Sequence, residues 1–184
     1  MPLIPYANIE QLPSDVKATF ERLPVRLNIM KMLANAETCF GPFLQFGGAL
    51  LTKQQLDPAL REIVILQVAH IEGGEYEWVQ HVSIGLAVGV TQGQIDAIQA
   101  NRFEADCFSD RDRATMKLVE DVVNKVRASE ESVRTAAKFL SPREMVEVML
   151  TIGNYMMAAR LTETMRVEID PPGGIQMLDA LKRP

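Results

Sequence analysis

Two carboxylates and one imidazole in this chain have the residue types and spacing for proton transfer. Glu77 precedes His81 by four residues, so on a helix both side chains occupy one face. A carboxylate beside an imidazole orients the ring and raises its basicity, which prepares a general base near neutral pH. The alternative for the pair alone is a solvated i,i+4 contact worth roughly 0.3–0.5 kcal/mol. Glu62 adds weight to the catalytic reading. It stands about one turn into the most hydrophobic stretch of the chain, where a carboxylate is costly unless paired and is harder to ionise. Its alternative is a salt bridge to Arg61 or to a distant arginine such as Arg160. Trp78 and Gly85 border the Glu77–His81 face, and Trp78 and Tyr76 are the candidates to wall a substrate pocket. His70, the other of two histidines, reads as a satisfied core or interface residue.

These residues need two helices joined by a tight turn. Asp57-Pro58 is a strong start signal, an N-cap followed by proline at the first helical position. The helix it opens is apolar nearly all round, so it is expected to be buried, and Gly73-Gly74 end it. A second helix runs from about Glu75 to Val88, stopped by Gly89. Folding back at Gly73-Gly74, it brings His81 alongside Glu62.

The flanking pattern is helical throughout, with no convincing strand alternation, so the fold class is all-α. Pro2, Pro5 and Pro13 mark an extended arm. Ser14 is expected to cap a helix to about Arg22, and further helices are expected from about Val25 to Asn35 and from Phe43 to Thr52, with Gly41-Pro42 breaking or kinking the approach. Phe40, Phe43 and Phe46 read as core packing rather than a ligand box. Thr91 with Gln94, and Ser141 with Glu144, form capping boxes. They open a short helix to Ala100 and a long one to about Arg166. Ser109 caps a helix to about Val126, and a shorter one covers about Glu131 to Phe139. Pro171 to Gly174 end the regular structure before a short helical tail. The Asp57 and Ser141 helices start alike, which reads either as a weak internal repeat of a helical hairpin or as two buried helices with similar start signals.

Composition removes other function classes. The chain has 184 residues, 47% of them hydrophobic, enough for one domain with a real core. Its net charge is −5 and its basic residues are scattered, so neither nucleic acid nor an anionic membrane surface is an expected partner. No apolar run is long enough to span a bilayer, and the start lacks the basic and apolar regions of a signal peptide, so a cytoplasmic location is expected. Cys39 and Cys107 form no CxxC pair and read as small core residues. Glu and His at i,i+4 with an opposing carboxylate resemble part of a metal site. The second long helix, Met145 to Arg166, offers no histidine to complete one, so no metal is expected. There is no serine nucleophile elbow and no glycine-rich phosphate loop after a strand.

The stretch Arg61-Glu62-Ile63-Val64-Ile65-Leu66, followed by Glu75-Tyr76-Glu77-Trp78-Val79-Gln80-His81, Gly85 and Gly89, resembles the carboxymuconolactone decarboxylase family, within the alkylhydroperoxidase D-like superfamily. The resemblance is strongest over about 56–98, inside a single domain of residues 1–184 with a degenerate second helical half over about 109–166. It implies an all-α helical bundle built around a buried hairpin and assembled as a homo-oligomer, a trimer or hexamer. It also implies roles. Glu62 and His81 match the superfamily's proton-relay Glu and His. The peroxidase branch carries a CxxC pair whose positions fall here on Gly74 and Glu77, so the sulfurs needed for peroxide reduction are missing. The decarboxylase branch uses no metal and no redox cofactor and acts on a small carboxylated lactone of aromatic catabolism. The expected function is therefore a cofactor-independent acid/base enzyme, lyase-like, acting on a small organic acid or lactone through His81, Glu62 and Glu77. Antioxidant peroxidase activity and a non-catalytic binding or assembly role are the alternatives.

Overall fold

The computed structural model describes residues 1–181. After a single 3-10 turn at Ile9–Gln11, ten helices follow: α1 (Ser14–Glu21), α2 (Asn28–Leu33), α3 (Glu37–Thr52), α4 (Pro58–Glu72), α5 (Glu75–Val88), α6 (Gln92–Gln99), α7 (Asp110–Lys125), α8 (Glu130–Ala136), α9 (Pro142–Met165) and α10 (Gly174–Leu181). No strand occurs among the described residues, so the all-α expectation holds.

Helix α4 is the axis of the molecule. Asp57 accepts from the Leu60 backbone N–H and Pro58 takes the first turn, as its sequence signals require. Every residue from Leu60 to Ala69 is buried, because α5, α7 and α9 all pack on α4. Leu60, Val64, Ile65 and Val68 join Leu118, Val148 and Ile152 in the largest core cluster, while Ile63 and Leu66 face a second one with Ile95, Ile98 and Met116.

The turn between α4 and α5 is a Schellman cap. Gly73 takes φ 69°, in the left-handed region where a side chain is strained. Its N–H bonds the His70 carbonyl (3.3 Å) and the Gly74 N–H bonds Ala69 (2.8 Å), so the last turn of α4 is satisfied and the chain reverses within two residues. The hairpin that this reversal makes is what positions the site.

Several local expectations fail for identifiable reasons. Helix α3 runs straight through Gly41-Pro42, starting at Glu37. Proline removes one intrahelical bond, but Phe40 and Leu50 are buried against neighbouring helices, and packing outweighs propensity. Helix α2 is shorter than expected because Leu27 is extended. The first N–H groups of α2 are capped from far away: Asn28 N–H by Asp170 (2.6 Å) and Ile29 N–H by the Tyr76 hydroxyl (3.3 Å). Ser14 is the first residue of α1 rather than its cap, and α8 starts one residue early, capped by Ser129. Cys39 and Cys107 are both exposed, not core residues. On α3 the inward direction at that turn belongs to Phe40, and Cys107 lies in the polar connector between α6 and α7.

Candidate active site

Glu62 is fully buried and held from two sides. Arg61 Nε donates to its Oε1 (3.0 Å), and His81 Nδ1 lies 2.8 Å from its Oε2. The two readings of Glu62 thus coexist: it is salt-bridged to Arg61 and it also grips His81. Arg160 is elsewhere, on Glu72 at 2.8 Å. Arg61 itself is buried, and its second contact is the Leu51 carbonyl (2.7 Å). An ionised carboxylate only accepts, so the contact makes His81 Nδ1 the donor, and in the neutral ring the lone pair then lies on Nε2. Nε2 has no hydrogen-bond partner among the described residues. The Tyr155 ring stands edge-on to the imidazole, centroids 4.8 Å apart at 88°, and fixes its plane. Burial, and then the Glu62 charge, push the Tyr155 hydroxyl well above the ordinary tyrosine range, so it remains a donor at physiological pH.

Glu77 shares the helix face with His81 but does not hold the ring, contrary to expectation. Its carboxylate meets Thr162 Oγ1 at 3.1 and 3.2 Å on α9. No arginine or lysine pairs with it among the described residues. Burial pushes its carboxyl above the ordinary range, and the Thr162 hydrogen bond and the nearby His81 only partly oppose this. Two buried carboxylates in one site thus differ in environment, one ion-paired with arginine and one without a cation partner among the described arginines and lysines, the arrangement that separates an acid role from a base role. Gly74 seals the back of this region. A Cβ there would lie 2.8 Å from the Ala159 Cβ and 2.9 Å from Glu77 Oε2, so the position has no room for a cysteine.

His81 and Glu77 border a partly open cavity of about 160 Å³ among α2, α3, α5, α9 and α10. Its wall is mostly aliphatic and aromatic, with Leu27, Met30, Phe43, Leu51, Ile84 and Met177 among the contributors. Phe43 is therefore a cavity residue, Phe40 is core, and Phe46 is exposed, so the three do not act as one packing group. Tyr76 lines the cavity with its ring while its hydroxyl donates to Asp170 (2.6 Å). Trp78 does not line it. It is rotated to the opposite side of α5, packed against the Ile63–Ile98 cluster and 6.0 Å from the His70 ring. His70 is partly exposed and contacts Asn101 (3.0 Å). No cysteine reaches the cavity, and no group of three or more His, Cys, Asp or Glu converges among the described residues. Sequence reasoning missed Asn154 and Tyr155, adjacent on α9. The signal was available: Asn154 interrupts an apolar run, as Glu62 does on α4.

Comparison with known proteins agrees with this architecture. Residues 40–121 match the carboxymuconolactone decarboxylase family. No curated protein matches the sequence. Among solved structures, a peroxidase-related protein with an alkylhydroperoxidase AhpD core from Ralstonia eutropha superposes with TM-score 0.79 at 16% identity, over 92% of each chain. A peroxidase-related protein from Silicibacter gives 0.77 at 17%, over 91% of this chain and 90% of that one. The debrominase Bmp8, as a variant in complex with 2,3,4-tribromopyrrole, gives 0.75 at 14%, over 99% and 98%. At these identities the likeness is one of fold. The segment 40–121, which matches the carboxymuconolactone decarboxylase family, holds Glu62, Glu77 and His81, and the chain around it has a helical fold similar to that of an alkylhydroperoxidase AhpD core.

Proposed function

We propose that this protein is an acid/base enzyme of the carboxymuconolactone decarboxylase type, moving a proton to or from carbon on a small lactone or organic acid. The observation that carries this reading is the 2.8 Å contact between Glu62 and His81 Nδ1, which leaves Nε2 without a protein partner at the edge of a cavity. His81 Nε2 takes the proton from a carbon next to a carbonyl. Glu62 fixes the tautomer and balances the imidazolium that forms, with Arg61 compensating the carboxylate. Glu77, kept protonated further up the pH scale than an ordinary glutamate, is placed to return a proton. Peroxidase-related proteins and a debrominase share the fold, so the residues, not the fold, decide the reaction. A thiol peroxidase mechanism finds no cysteine at this cavity.

An exposed apolar stripe on α9, formed by Val146, Met149, Leu150 and Met157, supports the expected self-association. No described helix is long and apolar enough to cross a membrane.

The test is a screen of small lactones, with and without a carboxylate, for solvent-deuterium incorporation and CO₂ release. The wild-type protein accelerates one of these, and His81→Ala loses about 10²–10⁴-fold of the rate. Equal rates in the two proteins overturn the reading.

A further inference from the structure

Resting on the acid/base reading above, we infer that the site takes an uncharged ring compound of about benzene size carrying one carbonyl oxygen, a lactone or ring ketone, and that Asn154 receives that oxygen. Size sets the first limit. The cavity measures about 160 Å³, and an engineered apolar cavity of roughly 150 Å³ is known to accept benzene.

Charge sets the second. Among the described residues no lysine or arginine lines the cavity. Arg61, the nearest buried cation, is engaged by Glu62 and the Leu51 carbonyl. A carboxylated ligand would lose its hydration in an aliphatic cavity, beside Glu77 and one residue removed from Glu62, with His81 the one described side chain there able to meet its charge. Such a burial is unfavourable unless each charge is paired.

The third observation is an unpaired amide. Among the described residues three buried side-chain oxygens lack a hydrogen-bond partner, those of Gln54, Gln67 and Asn154, and of these residues only Asn154 borders the cavity. Asn154 is 6% exposed. The other uncharged polar groups of the wall are mostly engaged. Gln80 Nε2 donates to the Asp170 carbonyl (3.0 Å), Gln80 Oε1 accepts from the Gly173 N–H (2.8 Å), and the Tyr76 hydroxyl serves Asp170. An orphaned buried amide oxygen is destabilising until something pairs with it. A keto oxygen and an enolate oxygen need a donor, and an enol hydroxyl needs an acceptor. A primary amide offers both through a half-turn of its side chain.

The chemistry balances without a co-reactant. The C–H bond next to the carbonyl breaks and its proton goes to His81 Nε2. Its electron pair forms the new C=C bond, and the carbonyl π pair moves onto the oxygen held by Asn154 Nδ2 and, as second donor, the Tyr155 hydroxyl. Return of a proton from Nε2 or Glu77 to carbon completes exchange or isomerisation.

The experiment titrates the full chain with cyclohexanone and δ-valerolactone, and with cyclohexanecarboxylate as the charged counterpart of similar size, by ligand-observed NMR. The same samples in D₂O report exchange at the α-carbon. The neutral probes are expected to bind with Kd of about 1 mM or tighter, and the carboxylate at least tenfold more weakly. Asn154→Leu, an apolar residue of similar volume, is expected to fold with an unchanged or higher Tm and to lose about tenfold in cyclohexanone affinity while keeping affinity for benzene. Tighter binding of the carboxylate, no binding of either neutral probe, or unchanged cyclohexanone affinity in Asn154→Leu overturns the inference. Failure of the acid/base reading is separately visible: His81→Gln would then exchange α-protons as fast as wild type while the binding preferences stood.

Discussion

Replacing Glu62 with glutamine tests the central ion pair through stability alone, before any substrate is known. Wild-type Glu62 is fully buried and offers one carboxylate oxygen to Arg61 and the other to His81. Glutamine keeps the shape but has one oxygen and one NH₂. With its oxygen on Arg61, its NH₂ faces His81 Nδ1, which accepts only if the ring proton moves to Nε2, and Arg61, only 4% exposed, loses its counter-charge. Removing one member of a buried pair costs about 3–5 kcal/mol. One surviving neutral hydrogen bond offsets about 1 kcal/mol of that. The net loss is about 2–4 kcal/mol, which for a chain of this length lowers Tm by roughly 4–16 °C. The assay is thermal unfolding of wild type, Arg61→Met, Glu62→Gln and the double variant. Each single change exposes an uncompensated buried charge or donor, whereas the double change removes the arginine as well. The double variant is therefore less destabilised than the sum of the two singles. Additive losses, or a Glu62→Gln protein melting within about 2 °C of wild type, would refute the pairing.

Four further outcomes follow from the same geometry. Glu77→Gln flattens part of the pH dependence of stability. Because the folded-state carboxyl of Glu77 is raised, its stabilising contribution is full below the ordinary value of 4.5 and fades as pH rises through the higher folded value. Wild-type stability therefore declines over that interval and the glutamine variant's does not, as denaturant melts at stepped pH will read. Gly74→Cys costs about 1–3 kcal/mol by overpacking against Ala159 and Glu77, and Gly74→Cys with Glu77→Cys gains no thiol-dependent peroxide consumption. Cys39→Ser with Cys107→Ser changes stability by no more than about 0.5 kcal/mol and leaves the His81-dependent reaction intact, and both thiols of the native protein react promptly with a thiol reagent. Ile65→Ala, in the all-buried centre of α4, costs about 2–5 kcal/mol in urea unfolding.

Most of the frame was legible because its signals are local. Asp57-Pro58, the Thr91 and Ser141 capping boxes and the Gly73 and Gly89 stops each act within a few residues, and each stands where the sequence indicates. The Glu62–His81 meeting was legible as a consequence of the Gly73-Gly74 turn. What stayed hidden depends on neighbours distant in sequence. The start of α2 is set by Asp170 and Tyr76, far along the chain. Glu77 has the right spacing to hold His81, yet Thr162 on α9 takes its carboxylate. Trp78 follows Glu77 directly, but one residue on a helix is a rotation of about 100°, enough to carry its ring from the cavity to the opposite cluster. Which face of α5 meets the cavity is fixed by α9 and α10, whose docking no local pattern encodes. The residue-by-residue mapping of the peroxidase cysteines onto Gly74 and Glu77 gained a physical reason in the structure: the first position has no space for a side chain.

The most direct test of the account is the protonation pattern of the His81 ring in the resting protein, read from long-range ¹H–¹⁵N correlations. Only two histidines are present, so a His70→Gln spectrum assigns the signals. The neutral ring is expected to carry its proton on Nδ1, bonded to Glu62, with a bare Nε2, and to lose that pattern in Glu62→Gln. A ring protonated at Nε2 with a bare Nδ1, or one exchanging freely between tautomers, would contradict it.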